Sequence, residues 1–358
     1  MTKRIGVLTS GGDCPGLNAV IRGVVRAATN LNWEVIGFHD GFEGLLPPAK
    51  YERLDVRRTA GIMHLGGTIL GTTNKGHFIA KVGKGERATV SPEVIEQTRA
   101  TLQAIGVSVL IVIGGDGSLS TALQLERAGI PCIGVPKTID NDLEATAMTF
   151  GFDSAVACVA DALDRLHTTA SSHKRAMVIE VMGRHAGWIA LYGGLAGGAD
   201  IILIPEIPFD YERVAEAVRQ REIDGCLSTL VVVAEGAHPR GGSEMMQQMG
   251  SGEYTLGGMG ERVAREISAR TGKETRTCVL GHLQRGGDPT TLDRILGTRF
   301  GVYAVQIIAE GRTGHMVSYQ NYQVQSVPIE DAVNRTKLVA PDSQMVQQAR
   351  AMGIRFGD

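Results

Sequence analysis

Short apolar, β-branched runs alternate along this chain with longer segments of helical periodicity, and that alternation limits the folds open to it. RIGVLTS (4–10), WEVIGFHDG (33–41), VSVLIVIGGDG (107–117), CIGVPKTID (132–140), RAMVIEVMG (175–183), DIILIPEIP (200–208), STLVVVAEG (228–236) and TCVLGHLQ (277–284) predict buried strands. Between them, 17–31, 92–106, 153–170, 210–222 and 299–311 repeat apolar residues at helical spacing. Strands apolar on both faces need helices over both faces, so the pattern predicts an α/β fold with mainly parallel sheet. In such folds ligands bind beyond the carboxyl ends of the strands, where loops lead into the next helix. Polar motifs stand at six such places: Gly11–Asp13, Gly114–Ser118, Lys137–Asp142, Arg184–His185, Glu235 and His282.

With 358 residues, 43% of them hydrophobic, the chain can bury a large core and make one large domain or two of ordinary size. A formal net charge of −2 leaves no basic surplus for nucleic acid or acidic lipid, so an anionic ligand must be met by local charge. No extended apolar leader follows MTKR, and the longest apolar run, 107–113 interrupted by Ser108, is far short of the ~20 residues a bilayer crossing needs. The expectation is a cytoplasmic protein that engages neither membrane nor nucleic acid. Its five cysteines are scattered and contain no CxxC pair, which suggests reduced thiols and no zinc site; Cys14 alone lies in a candidate ligand loop. Residues 238–260 lack a clear period and read as a surface insertion or loop, and 312–358, more polar with a helical piece near 342–352, read as a cap or an interface.

SGGDCPGLNAVIRG (10–23) sets two glycines between strand and helix, where backbone can approach a phosphate; the same residues also suit a tight turn. Neither a Walker A sequence nor a strand-linked G-x-G-x-x-G is present. In GGDGS (114–118) the glycines clear space, Asp116 offers an oxygen suited to Mg²⁺, and Ser118 can cap a helix or bind a phosphate oxygen. In KTIDND (137–142) Asp140 is the better candidate for a general base and Asp142 for a supporting residue. Arg175 and Arg184 flank one predicted strand, and Arg276 precedes His282 and Arg285 around another. At about 3.3 Å per residue such pairs are too far apart to hold one phosphate, so a composite site or one shared between subunits fits better.

Read together, LTSGGDCPGLNAVIRG (8–23), GGTILGT (66–72), IGGDGS (113–118), PKTIDND (136–142), SSHKRAMVIEVMGRHAG (171–187), VVVAEGA (231–237) and TRTCVLGHLQRGGDP (275–289) resemble the 6-phosphofructokinase family along nearly the whole chain. The resemblance implies two doubly wound parallel-sheet domains with the active site in the cleft between them. A phosphate-donor domain would take 1–150 plus about 283–335, and a fructose-6-phosphate domain about 151–282 plus 336–358. It implies ATP- and Mg²⁺-dependent phosphorylation of the 1-hydroxyl of fructose 6-phosphate, in a homotetramer with active sites shared between subunits. Asp140 would be the base, with Arg184 and Thr138 also catalytic. Gly12, Asn74, Lys75, Gly115, Asp116, Gly117 and Ser118 would meet the donor, with Asp116 on the metal. Thr138, Ile139, Asp140, Met182, Gly183, Arg184, Glu235, His282, Leu283, Gln284 and Arg285 would form the sugar-phosphate pocket, and Arg175 and Arg276 would reach it from a neighbouring subunit.

This sequence departs from the family's ATP-using pattern in two places. Asn74 and Lys75 stand where many ATP-using members carry an arginine. The donor signature is also mixed: Gly117 leaves room that an aspartate closes in pyrophosphate users, while Lys137 is the residue those enzymes carry. Gly117 decides for ATP, because an anion beside a triphosphate excludes it more strongly than an added cation does. The alternatives are a pyrophosphate-dependent enzyme and a catalytically silent sensor; the latter would be expected to lack Asp140, Asp116 or Arg184.

Overall fold

In the computed structural model, residues 2–73, 75–78, 89–248, 254–333 and 335–358 are described. The first part of the chain forms β1 (Arg4–Thr9), α1 (Leu17–Asn30), β2 (Glu34–Phe38), β3 (Tyr51–Leu54), α2 (Pro92–Ile105), β4 (Val109–Gly114), α3 (Asp116–Arg127) and β5 (Cys132–Pro136). Next come α4 (Phe152–His173), β6 (Ala176–Val181), α5 (Trp188–Ala196), β7 (Ile201–Leu203), α6 (Tyr211–Ile223) and β8 (Thr229–Ala234). The chain closes with β9 (Met246–Gln248), β10 (Tyr254–Leu256), α7 (Met259–Thr271), β11 (Thr275–Val279), α8 (Thr291–Ala309), β12 (His315–Gln320), β13 (Gln323–Pro328), α9 (Ile329–Val333) and α10 (Gln344–Ala351).

These elements group into two compact units, the first comprising Met1–Thr138, Leu143–Asp153 and Arg285–Thr336, the second Ile139–Asp142, Ser154–Gln284 and Lys337–Asp358. The expected division, 1–150 plus about 283–335 against about 151–282 plus 336–358, leaves Ile139–Asp142 with the first unit; the structure groups these four residues with the second.

The first unit carries a sheet in the order β13-β12-β5-β4-β1-β2-β3, parallel throughout except at its edge strands β13 and β3. Its centre is apolar on both faces: all of β4 and β5 is buried. Leu8, Phe38, Leu110, Val112, Leu119, Leu125 and Met316 belong to the core on one side. On α1 and α8 glycines allow close approach, since a β-carbon on Gly23 would stand 2.6 Å from the Thr298 carbonyl oxygen. Local signals fix the ends of α2: Ser91 Oγ accepts from the Val94 N–H at 3.3 Å, Pro92 opens the helix, and Gly106 closes it at φ 77°.

The second unit is built on a four-stranded parallel sheet, β11-β6-β8-β7. Residues 238–260, read from sequence as an aperiodic insertion, contain the β9–β10 antiparallel hairpin. TCVLGHLQ is strand only to Val279 and then turns as a 3-10 helix over Gly281–Arg285. The stretch from 312 is no mere cap, because β12 and β13 extend the first unit's sheet.

Candidate active site

In the first unit three loops leave the carboxyl ends of neighbouring strands β1, β4 and β5. The sheet changes direction here, since β1 continues to β2 on one side while β4 continues to β5 on the other, the topology that opens a ligand crevice. Gly11 adopts φ 82°, which favours glycine, and its carbonyl accepts from Thr72 Oγ1 at 2.6 Å. Thr9 Oγ1 donates to the Gly71 carbonyl at 2.7 Å, and Asn18 Nδ2 to the Leu65 carbonyl at 3.1 Å. GGTILGT is thereby pinned beside the first glycine loop.

Two cations face that loop. Lys137, 4% exposed, donates its ammonium to the Gly12 carbonyl, and Arg285 Nη1 donates to the Asp13 carbonyl at 3.2 Å. Arg285, expected in the sugar-phosphate pocket, belongs to the first unit and contacts the glycine loop there. Gly115 precedes α3, Asp116 and Gly117 lie exposed in its first turn, and Ser118 is nearly buried. A β-carbon built on Gly117 would meet no heavy atom within 4 Å, so packing does not require glycine there. Lys75 is exposed, and Asn74 lies outside the described residues. Cys14 is fully buried and its thiol is pushed up to about 12 by burial, which makes it inert as a nucleophile.

Thr138 ends the first unit's run, and its carbonyl accepts from Thr149 Oγ1 at 2.7 Å. Ile139, Asp140 and Asn141 are buried at 0%, 4% and 3% exposure. Asn141 is left-handed at φ 51°, its Oδ1 accepts from Lys337 Nζ at 3.0 Å, and the Lys337 N–H donates to the Asp142 carbonyl at 2.9 Å. Trp188 Nε1 in turn donates to the Lys337 carbonyl at 2.8 Å. Asp142 was expected to support Asp140; within this unit Lys337 and Trp188 brace the segment.

In the second unit the carboxyl ends of β6, β8 and β11 bring forward Met182, Gly183, Arg184, Glu235 and His282. Gly183 and Arg184 have φ 140° and 52°, a sharp turn at the strand end. Glu235 Oε1 accepts from the Arg184 N–H at 3.0 Å, and the Gly183 N–H also donates to this carboxylate. Burial pushes the Glu235 carboxyl above its ordinary range; the Arg184 N–H draws it back, and the charges of Asp140 and Glu180 add to the rise. His282 and Leu283 are exposed, whereas Gln284 is 1% exposed and its Oε1 accepts from the Met182 N–H at 3.3 Å. Gln284 thus fixes the backbone of the loop from beneath.

Arg175 and Arg276 lie at the opposite, amino-terminal end of the same sheet, both paired with Glu274 at 2.8 and 2.6 Å. Sequence reasoning missed Thr72, Thr149 and Lys337. Thr72 closes a motif that was quoted whole, but nothing marked its hydroxyl; for Lys337, nearly 200 residues from Asn141, no sequence signal exists.

No group of three or more His, Cys, Asp and Glu that could hold a metal occurs among the described residues. Asp116 offers one exposed carboxylate beside the glycine loops. That donor set suits Mg²⁺, which keeps several waters and takes further oxygens from substrate phosphates.

A family model described as Phosphofructokinase matches residues 4–308. An "ATP-dependent 6-phosphofructokinase" of Chloroflexus aggregans is 53% identical over 356 residues, 99% of this chain and 98% of that protein. A "Pyrophosphate--fructose 6-phosphate 1-phosphotransferase" of Amycolatopsis methanolica is 48% identical over 343 residues, 95% of this chain and 97% of that one. Among solved structures, Pichia pastoris phosphofructokinase in the T-state superposes with a TM-score of 0.82 at 30% identity, spanning 99% of this chain and 37% of that one. Among the described residues no helix is long and apolar enough to cross a membrane.

Proposed function

The chain belongs to the phosphofructokinase family, and from that premise we propose that it transfers the γ-phosphoryl group of ATP to the 1-hydroxyl of fructose 6-phosphate. The first unit binds the donor and the second the sugar phosphate. The observation that carries the donor assignment is the open space at Gly117, where no heavy atom beyond its chain neighbours and its own helix backbone lies within 4 Å of a would-be β-carbon. A nucleotide can use that space, and an aspartate there would set a carboxylate against its phosphates.

Within this reading each chain residue has a physical task. Backbone of the Gly11–Asp13 and Gly115–Ser118 loops approaches the donor phosphates, with the α3 N-terminus favouring an anion. Lys137 and Arg285, tied to the carbonyls of Gly12 and Asp13, support cationic compensation beside the transferring group. Asp116 would hold Mg²⁺, which supplies charge neutralisation at the phosphate oxygens when bound. Asp140 removes the proton from the attacking hydroxyl, and its burial accords with a carboxylate kept from bulk water. Met182, Gly183, Arg184, Glu235 and His282 hold and orient the sugar phosphate, with Thr138 and Ile139 beside it. The position of Arg175 and Arg276 at the far end of the sheet supports a pocket that they complete in a second copy of the chain, in a homotetramer.

A second reading, pyrophosphate as donor, is favoured by Lys137 alone. Turnover with each donor on one sample, at saturating fructose 6-phosphate, tests the assignment. A higher kcat/KM with pyrophosphate than with ATP would overturn the ATP reading and leave the sugar-kinase reading standing.

A further inference from the structure

Arg184 holds a left-handed backbone, φ 52°, which a residue with a side chain keeps only when its surroundings over-determine it. On one side the reasons are visible. Glu235 accepts its N–H at 3.0 Å, the Ala186 N–H returns to the Gly183 carbonyl at 3.0 Å, and Gly236 packs so closely on the Arg184 carbonyl that no β-carbon would fit.

On the other side the loop is gripped by the segment between β8 and α7, which the kinase reading leaves without a task. That segment leaves just after Glu235 and returns at Gly258. His185, the residue after Arg184, meets Glu244 of this segment, Nδ1 to Oε1, at 2.7 Å. Beyond Glu244 the β9–β10 hairpin pairs Met246 with Leu256 and Gln247 with Thr255, so the two arms are in register. Gln247 covers Gly257 and Gly258, where a β-carbon on Gly258 would lie 2.5 Å from its Nε2. The base of the hairpin is then anchored on Glu180: this 4%-exposed carboxylate accepts from the Gly258 and Gly260 N–H groups at 3.1 and 2.7 Å. Glu180 lies in β6, the strand that feeds Met182–Arg184. Both ends of the segment therefore grip one strand and its site loop.

We propose that the described parts of this segment, 238–248 and 254–258, form a positioning arm for Arg184, acting through the Glu244–His185 contact. The inference rests on the reading of Arg184 as a sugar-phosphate ligand. Glu244 touches no substrate; by fixing His185 it fixes the direction in which the preceding residue projects. Its loss should weaken fructose 6-phosphate recognition and spare the donor.

The test is steady-state kinetics of Glu244→Ala, Glu244→Gln, His185→Ala and the Glu244→Ala/His185→Ala pair, with Arg184→Ala as reference. Misplacing a binding group by a fraction of an ångström is expected to raise the KM for fructose 6-phosphate roughly tenfold in Glu244→Ala, with kcat and the ATP KM changed less than about twofold. His185→Ala should match it, the double variant should be no worse than either single one, and Glu244→Gln, which keeps an acceptor for the His185 N–H, should recover most of the loss. If Arg184→Ala raises that KM and Glu244→Ala does not, the arm is refuted and the ligand role of Arg184 survives. If Arg184→Ala leaves it unchanged, the ligand role itself fails. Equal losses for both substrates, or additive single variants, would reduce Glu244 to a general stabiliser and also overturn the proposal.

Discussion

Lys137 donates its ammonium to the carbonyl of Gly12, 125 residues earlier in the chain. The two residues follow β5 and β1, which flank β4 in the sheet, so the lysine bridges two strand-end loops across the end of the third. Replacing Lys137 with Met keeps the apolar stem and leaves that carbonyl without the ammonium. Losing one partner of a buried hydrogen bond costs about 1–3 kcal/mol, so kcat/KM for the donor should fall roughly ten- to hundredfold. The sugar KM at saturating donor should hold. Donor titrations check this, and an unchanged donor kcat/KM would sink the bridging role.

Gly117→Asp adds a carboxylate to open space next to Asp116. In the proposed reading a second negative charge beside the nucleotide phosphates would cost a few kcal/mol at the effective dielectric of a protein surface. ATP kcat/KM should drop about a hundredfold, and pyrophosphate should suffer less because it makes no use of that space. Paired assays with the two donors decide the matter.

Asp140→Asn preserves shape and removes the carboxylate proposed as the base. General-base removal costs about 10²–10⁴ in rate, so kcat should fall into that range while fructose 6-phosphate still binds in a calorimetric titration. Near-normal kcat would take Asp140 out of the base role.

Glu235 carries a carboxyl that burial raises above its ordinary value. It is ionised only above that raised value, and in the proposed role it accepts from sugar hydroxyls in that form. Fructose 6-phosphate affinity should therefore weaken as pH falls, beginning at a higher pH than an ordinary glutamate near 4.3 would give. Stability runs the other way: the folded state takes up this proton before the unfolded one, so Glu235's contribution to stability rises as pH falls through its folded value. Glu235→Gln should abolish the acid limb in a plot of sugar KM against pH, and persistence of that limb would assign it to another group.

Gly23 and Gly301 let α1 and α8 approach one another. A β-carbon on Gly301 would collide with the Val20 carbonyl oxygen, and one on Gly23 would lie 2.6 Å from that of Thr298. Overpacking of this kind costs about 1–3 kcal/mol. Gly23→Ala or Gly301→Ala should lower Tm by several degrees, read by calorimetry, and an unchanged Tm would mean that the helices separate freely.

The strands were legible because β4, β5, β6 and β8 are buried on both faces, and that burial leaves continuous Val–Ile–Leu runs in the sequence. The glycine loops were legible because backbone that must turn sharply or approach a ligand selects residues without a β-carbon. β12 and β13 were missed: β13 is an edge strand, half polar and partly exposed, so its pattern is weak. The antiparallel pair β9–β10 was missed because two three-residue strands are too short to establish a period.

By itself the sequence determined the α/β class, the family and the residue types offered at each strand end. Tertiary structure decided which of them work together: Arg285 with the Gly12–Asp13 loop, Lys337 with Asn141, Gln284 beneath Met182, and Glu244 on His185. The physical reason lies in the range of the forces. Strand burial and glycine turns write a local period into the chain, whereas a hydrogen bond from a side chain to a group tens or hundreds of residues away needs only one donor and one acceptor and leaves no spacing to read.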